Sequence, residues 1–248
     1  MRNTPVISMK NVVKKFDKQT VLNHIFFDID PGVIVGLIGP SGAGKSTIIK
    51  VVLGMEKVDQ GSTTVFNQTM PNRKLLGQIG YMAQTDALYD ELTGRENLQF
   101  FADMKGIGHL KAQEEIDHVS QVVDLTEDLD KRVSGYSGGM KRRLSLAIAL
   151  LGDARLLILD EPTVGIDPAL RRTIWSELHR LRDAGRTILV TTHVMDEAEL
   201  VDGVALLLGG HLMAYNTPKA LKQQYQEDTI ENVFLKVESE YEENDCNR

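Results

Sequence analysis

The sequence predicts an α/β fold: a core with a mainly parallel sheet, an antiparallel β subdomain ahead of it and a helical lobe inserted into it. Three observations carry that expectation. An apolar, β-branched run, Val33–Ile38, feeds a glycine-rich loop, Gly39–Thr47, and a helically spaced segment, Thr47–Leu53, leads out of it. A second apolar run, Leu156–Leu159, ends in two adjacent carboxylates, Asp160 and Glu161. From residue 155 onward, strand-like and helix-like patterns alternate, the rhythm of a chain that returns repeatedly to one parallel sheet.

Taken in order, Val6–Val13, Thr20–Asp28 and Val33–Ile38 read as strands, and the short turns between them predict antiparallel pairing. From about Asp86 to Leu151 the spacing turns helical, with Arg95–Lys105, Lys111–Val123 and Lys141–Leu151 as the clearest segments. This block, about 86–151, is the predicted lobe. Beyond it come a strand at Arg155–Leu159, a helix at Ala169–Asp183, a strand at Thr187–Thr191, a helix at Met195–Leu200 and a strand at Val204–Leu208. Residues 1–226 are expected to form the main domain, with 227–248 as an acidic C-terminal helix and tail. No internal repeat or low-complexity linker interrupts the chain.

Composition narrows the functional classes. At 248 residues the chain can bury a sizeable core. It has no run of about 18 apolar residues and no charged-then-apolar leader, so a cytoplasmic chain that does not itself span a membrane is expected. The one cysteine, Cys246, suits a reducing compartment and argues against a structural zinc site. Of the net charge of −7, residues 227–248 hold −6, eight acidic against two basic side chains, leaving −1 for the rest. Such a balance offers no broad basic field, and no nucleic-acid partner is expected.

The loop Gly39-Pro40-Ser41-Gly42-Ala43-Gly44-Lys45-Ser46-Thr47 fits the pattern G-x-x-x-x-G-K-[ST] at every constrained position. Glycines let the backbone wrap phosphate with its N–H groups inward, and the following helix adds the positive end of its dipole. Lys45 is placed to neutralise the β and γ phosphates, and Ser46 to offer its hydroxyl to Mg²⁺. ATP and Mg²⁺ are the expected cofactors. Asp160, beyond the second strand, suits Mg²⁺ binding through water. Successive side chains of an extended backbone face opposite ways, so Glu161 is expected to point elsewhere and activate the attacking water. A third element, Ser137-Gly138-Gly139, opens a helix whose apolar residues Leu144, Ala147, Ile148 and Leu151 share one face. Ser137 would cap that helix, and its bare glycine amides make a second anion-binding mouth.

With these motifs in this order, the chain resembles the nucleotide-binding subunit of an ATP-binding cassette (ABC) transporter over about residues 6–220. The resemblance implies a Walker A loop at Gly39–Thr47, a Q-loop residue at Gln84 that senses Mg²⁺ or its water, a Walker B carboxylate at Asp160 and a catalytic carboxylate at Glu161. It also implies a D-loop aspartate at Asp167, a γ-phosphate-contacting switch at His193, and an aromatic at Phe16 that stacks on adenine, worth roughly 1–3 kcal/mol by analogy with base stacking elsewhere. Two copies, or this chain and a similar subunit, are implied to pair head to tail, so that Ser137, Gly138 and Gly139 of one close over the ATP of the other. The further implied partner is an integral-membrane permease, which would hold the subunit on the inner face of the membrane.

The chain departs from the family pattern at Met140, where glutamine is common, and at Val164, where serine is common. Methionine lacks the amide donors of glutamine. The run Tyr136–Arg143, with Thr229–Leu235, resembles the exporters of drugs, antibiotics and polysaccharides. Relatives without a transport role act in DNA repair, chromosome organisation, translation or membrane remodelling; the nucleic-acid and ribosome types carry coiled-coil, zinc or tandem-cassette additions absent here. The Lys141-Arg142-Arg143 cluster is expected to be a solvated helix face. Leu88, Tyr89 and Leu92, apolar in a predicted loop beside Gln84, are expected to receive a short cytoplasmic helix of the permease.

Overall fold

The computed structural model describes residues 4–85 and 87–246. The chain divides into two compact units, residues up to 75 with 189 onward, and residues 76–188.

In the first unit, β1 (Ile7–Phe16) and β2 (Gln19–Ile29) form an antiparallel pair, as the short turn between them predicts. The next strand, β3 (Ile34–Ile38), departs from the antiparallel expectation: it leaves this sheet and is buried along its whole length. A strand without a polar face cannot sit at a half-solvated antiparallel edge. The loop after it enters α1 (Lys45–Val52), and β4 (Gln60–Val65) and β5 (Gln68–Thr69) return to the first sheet in the order β2-β1-β4-β5. Neither of these polar strands has the apolar pattern that betrays a strand in sequence.

In the second unit, β6 (Ile79–Met82) is followed by the helices α2 (Gly94–Met104), α3 (His109–Val122) and α4 (Gly138–Leu150). Asp86, the expected start of the lobe, lies outside the described residues. The three helices pack on one another through buried Leu98, Ile116, Leu144 and Ala147, with α2 opened by a capping box between Thr93 and Glu96. Strand β7 (Leu156–Asp160) runs parallel to β6, Met82 opposite Leu159, and α5 (Pro168–Asp183) follows.

The chain re-enters the first unit within β8 (Thr187–Thr192) and continues through β9 (Gly203–Leu208), β10 (His211–Asn216), α6 (Pro218–Tyr225) and α7 (Ile230–Cys246). There the strand order is β10-β9-β3-β8, with β3 parallel to β9 and β10 antiparallel to it. The expected helix at 195–200 is a 3₁₀ turn, Met195–Glu199. The acidic tail buries Ile230, Val233, Phe234 and Val237, which share one face of α7 at i, i+3, i+4, i+7. Glu199 anchors its start, accepting from the Ile230 N–H at 3.0 Å and from Lys222 Nζ at 2.6 Å. The side chain of Cys246 and residues 247–248 lie outside the described set.

Candidate functional site

In the first unit the glycine loop connects the buried end of β3 to α1. Gly44 is the N-cap of α1 at φ +108 and supplies no side chain to its N–H groups. No side chain caps this helix start, the kind of position at which helices bind anions. Gly42 also has a positive φ, +81, while a side chain on Gly39 would run into the Leu207 carbonyl of β9. Lys45 is buried, its Nζ donating to Gly39 O at 2.6 Å and Pro40 O at 3.0 Å. Two of its three N–H bonds tie the ammonium to its own loop, so the charge is held at the loop's mouth instead of swinging in solvent. Ser46 is exposed at the helix start and Thr47 half-buried. At the end of β1, the Phe16 ring is 40% exposed, with Lys14 Nζ 4.8 Å from its centroid. Being outside the core leaves that ring free to stack on a ligand. His193 is exposed just past β8, where Thr192 Oγ1 accepts from the Val194 N–H and donates to Glu197 to shape the turn.

In the second unit, β6 and β7 end side by side, so Ala83-Gln84 and Asp160-Glu161 leave the same strand edge, the edge at which open α/β sheets bind ligands. Asp160 is buried; burial, and then its charge, raise the pKa of the Tyr81 hydroxyl. Glu161 is half-buried, but strand alternation does not orient it as expected. Its φ is +53, the left-handed region that a residue with a Cβ enters only at a cost of about 1 kcal/mol or more. Extended backbone therefore stops at Asp160, and a local kink aims the catalytic candidate. Gln84 is exposed.

Ser137 caps α4 as expected, its Oγ accepting from Met140 N at 3.2 Å. Gly138 and Gly139 are exposed, and a Cβ on Gly138 would meet nothing within 4 Å. Asp167 caps α5, accepting from the Ala169 and Leu170 N–H groups at 3.0 Å each. Those bonds, Leu170's first, hold its carboxyl below the usual range.

The Lys141-Arg142-Arg143 cluster is not a solvated face. Lys141 pairs with Asp90 at 2.7 Å, and Arg143 donates to the Val123 and Asp124 carbonyls at the end of α3. Arg142 donates to four carbonyls, those of Ala83, Gln84, Asp160 and Glu161. Nothing local predicts this, because the acceptors lie some 20 to 60 residues away in the chain. Tyr89 stacks edge-on against Phe100, centroids 4.8 Å apart, yet stays 48% exposed.

A phosphate-loop helix start with a loop-tied lysine, a carboxylate pair at a strand edge and a second helix start with bare glycine amides define a nucleotide-binding cassette. Comparison with known proteins extends this. The ABC transporter family model matches residues 22–164. The "Nod factor export ATP-binding protein I" of Rhizobium sp. (strain N33) is 42% identical over 222 residues, 88% of this chain and 73% of that protein. The "Probable multidrug ABC transporter ATP-binding protein YbhF" of Escherichia coli (strain K12) is 35% identical over 249 residues, of which this chain spans only 43% of the length. A structure described as an ATP binding subunit of an ABC transporter superposes with a TM-score of 0.87 at 26% identity, covering 94% of this chain and 99% of that one. A dimeric ATP-binding cassette bound to ADP and Pi shares the fold, with a TM-score of 0.78 at 24% identity over 85% of this chain and 98% of that one. The chain belongs to the ABC transporter family, as a nucleotide-binding subunit. No helix among the described residues is long and apolar enough to cross a membrane.

Proposed function

We propose that this chain is the Mg²⁺-dependent ATP-hydrolysing subunit of an export transporter, working with a separate membrane permease. The observation that carries the reading is the start of α1: uncapped amides after left-handed Gly44, with the Lys45 ammonium fixed on Gly39 O and Pro40 O beside them. That donor set fits a triphosphate better than any neutral ligand. Lys45 and the loop amides hold the phosphates, Phe16 stacks on the adenine, and Ser46, Asp160 and Gln84 are the oxygen donors suited to Mg²⁺, which supplies neutralisation of phosphate charge when bound. Glu161 takes the proton of the attacking water, and His193 contacts the γ-phosphate. Asp167 and the Ser137–Gly139 amides serve the interface with a second copy or a similar subunit. Residues 1–226 form the ATPase domain and 227–248 an appended segment.

The export direction rests on relatives that share most of this chain and are named as export ATP-binding proteins. Half-exposed Tyr89, beside Leu88 and the Gln84 loop, is the permease docking surface we favour, which would place the subunit on the cytoplasmic face of the membrane. The test is hydrolysis. Lys45→Ala should weaken nucleotide binding, whereas Glu161→Gln should bind ATP as the parent does and lose about 10²–10⁴-fold in turnover, the usual share of a general base. Parental turnover in Glu161→Gln would remove Glu161 from the mechanism.

A further inference from the structure

Arg142 lies in the first two turns of α4, five residues beyond the capping Ser137. Its Nη1 donates to Ala83 O at 2.5 Å and Gln84 O at 3.1 Å; its Nη2 donates to Asp160 O, and to Glu161 O at 3.1 Å. The acceptors belong to two segments that emerge from adjacent parallel strands, since Met82 pairs with Leu159. One planar cation therefore spans both strand ends, one nitrogen to each. Only a guanidinium has the fixed fork for this; an ammonium would carry similar charge with three donors on a single atom.

The contact falls at a stretch of backbone that needs support. Glu161 is left-handed at φ +53, a conformation that persists in a residue with a side chain only when its surroundings over-determine it. Bonds to the carbonyls on both sides of that residue's Cα, those of Asp160 and Glu161, fix the two peptide planes that define its backbone angles. The same guanidinium fixes the peptides around Gln84. We propose that Arg142 is a positioning residue for ATP hydrolysis: from the helix that Ser137 caps, it locks the left-handed backbone that aims the Glu161 carboxylate and registers the Gln84 loop to it. It touches no reacting atom. This rests on the reading of Glu161 as the base.

The test is a cycle in the full-length protein with Arg142→Lys, Glu161→Gln and the double variant, scoring single-turnover hydrolysis, nucleotide affinity and thermal midpoint. Arg143→Lys serves as the structural control, because Arg143 bonds only to the α3 end among the contacts described above. If Arg142 acts through Glu161, Arg142→Lys lowers turnover by about tenfold or more, leaves nucleotide affinity within about twofold, and adds no further loss in the Glu161→Gln background, as groups acting as one unit do. The same factor lost in both backgrounds overturns the proposal. So does a loss matched by a fall in thermal midpoint like that of Arg143→Lys with turnover reduced equally. Parental turnover in Glu161→Gln alone instead refutes the reading of Glu161, and the proposal falls with it, a failure visible before the double variant is measured.

Discussion

At the scale of single residues, the site is built from backbone conformations that most side chains resist. Gly39 and Gly42 differ in why they are glycine. At Gly39 a Cβ would collide with the Leu207 carbonyl of β9, whereas at Gly42 the space is open and only φ +81 excludes a side chain. Gly39→Ala should therefore misplace the loop and abolish nucleotide binding, while Gly42→Ala should cost about 1 kcal/mol in urea denaturation and keep measurable binding. Equal effects would mean that the close approach to β9 does not shape the loop. Phe16 supports a second prediction from its exposure. Phe16→Ala should weaken ATP binding by about tenfold or more, and Phe16→Tyr should retain it, because stacking needs a π face and not a particular ring. ATP affinity unchanged in Phe16→Ala would take that ring out of the site.

At the scale of elements, the chemistry sits on ends: the starts of α1 and α4, and the last residues of β6 and β7. The far end of α4 is secured by Lys105, whose Nζ donates to Ile148 O and Leu151 O at 2.8 Å each. Burial is the main reason its pKa falls to about 8, with the Glu115 charge opposing that shift. The unfolded chain keeps this proton up to about pH 10.4, so between about pH 8 and 10.4 the unfolded state binds more protons than the folded one. The contribution of Lys105 to stability is thus lowest below about pH 8 and rises with pH through that window. In urea titrations, the stability of the parent relative to Lys105→Met should increase from about pH 8 to about pH 10. A difference independent of pH would show that Lys105 is charged in the fold throughout.

At the scale of the molecule, Ser137, Gly138 and Gly139 form an exposed helix start at which the Ser137 side chain accepts only from Met140 N among the bonds described above. Pairing of two copies over ATP is the role we assign to it. Sedimentation of the slow Glu161→Gln protein should show a monomer becoming a dimer when Mg²⁺-ATP is added. Adding Gly138→Asp should prevent that shift by setting a carboxylate against phosphate while leaving the fold intact, since a Cβ there meets nothing within 4 Å. A dimer that forms equally well in the protein carrying Gly138→Asp would place the interface elsewhere.

The sequence by itself determined the family, the order of the motifs and most of the buried elements, because those signals are local. A loop must be glycine-rich to wrap phosphate, a fully apolar run such as Leu156–Leu159 must be buried, and Ser137 can cap only the helix that begins beside it. Strands β4 and β10 were not legible, since their pairing is decided by neighbours and not by their own pattern. Tertiary structure alone decided that β3 joins β9 instead of β2, that Glu161 leaves the extended conformation, and that Arg142 is a half-buried clasp and not a surface charge. Each of these depends on which peptide groups from distant parts of the chain arrive unpaired beside a given residue, and hydrogen-bond demand of that kind leaves no periodic trace in the sequence.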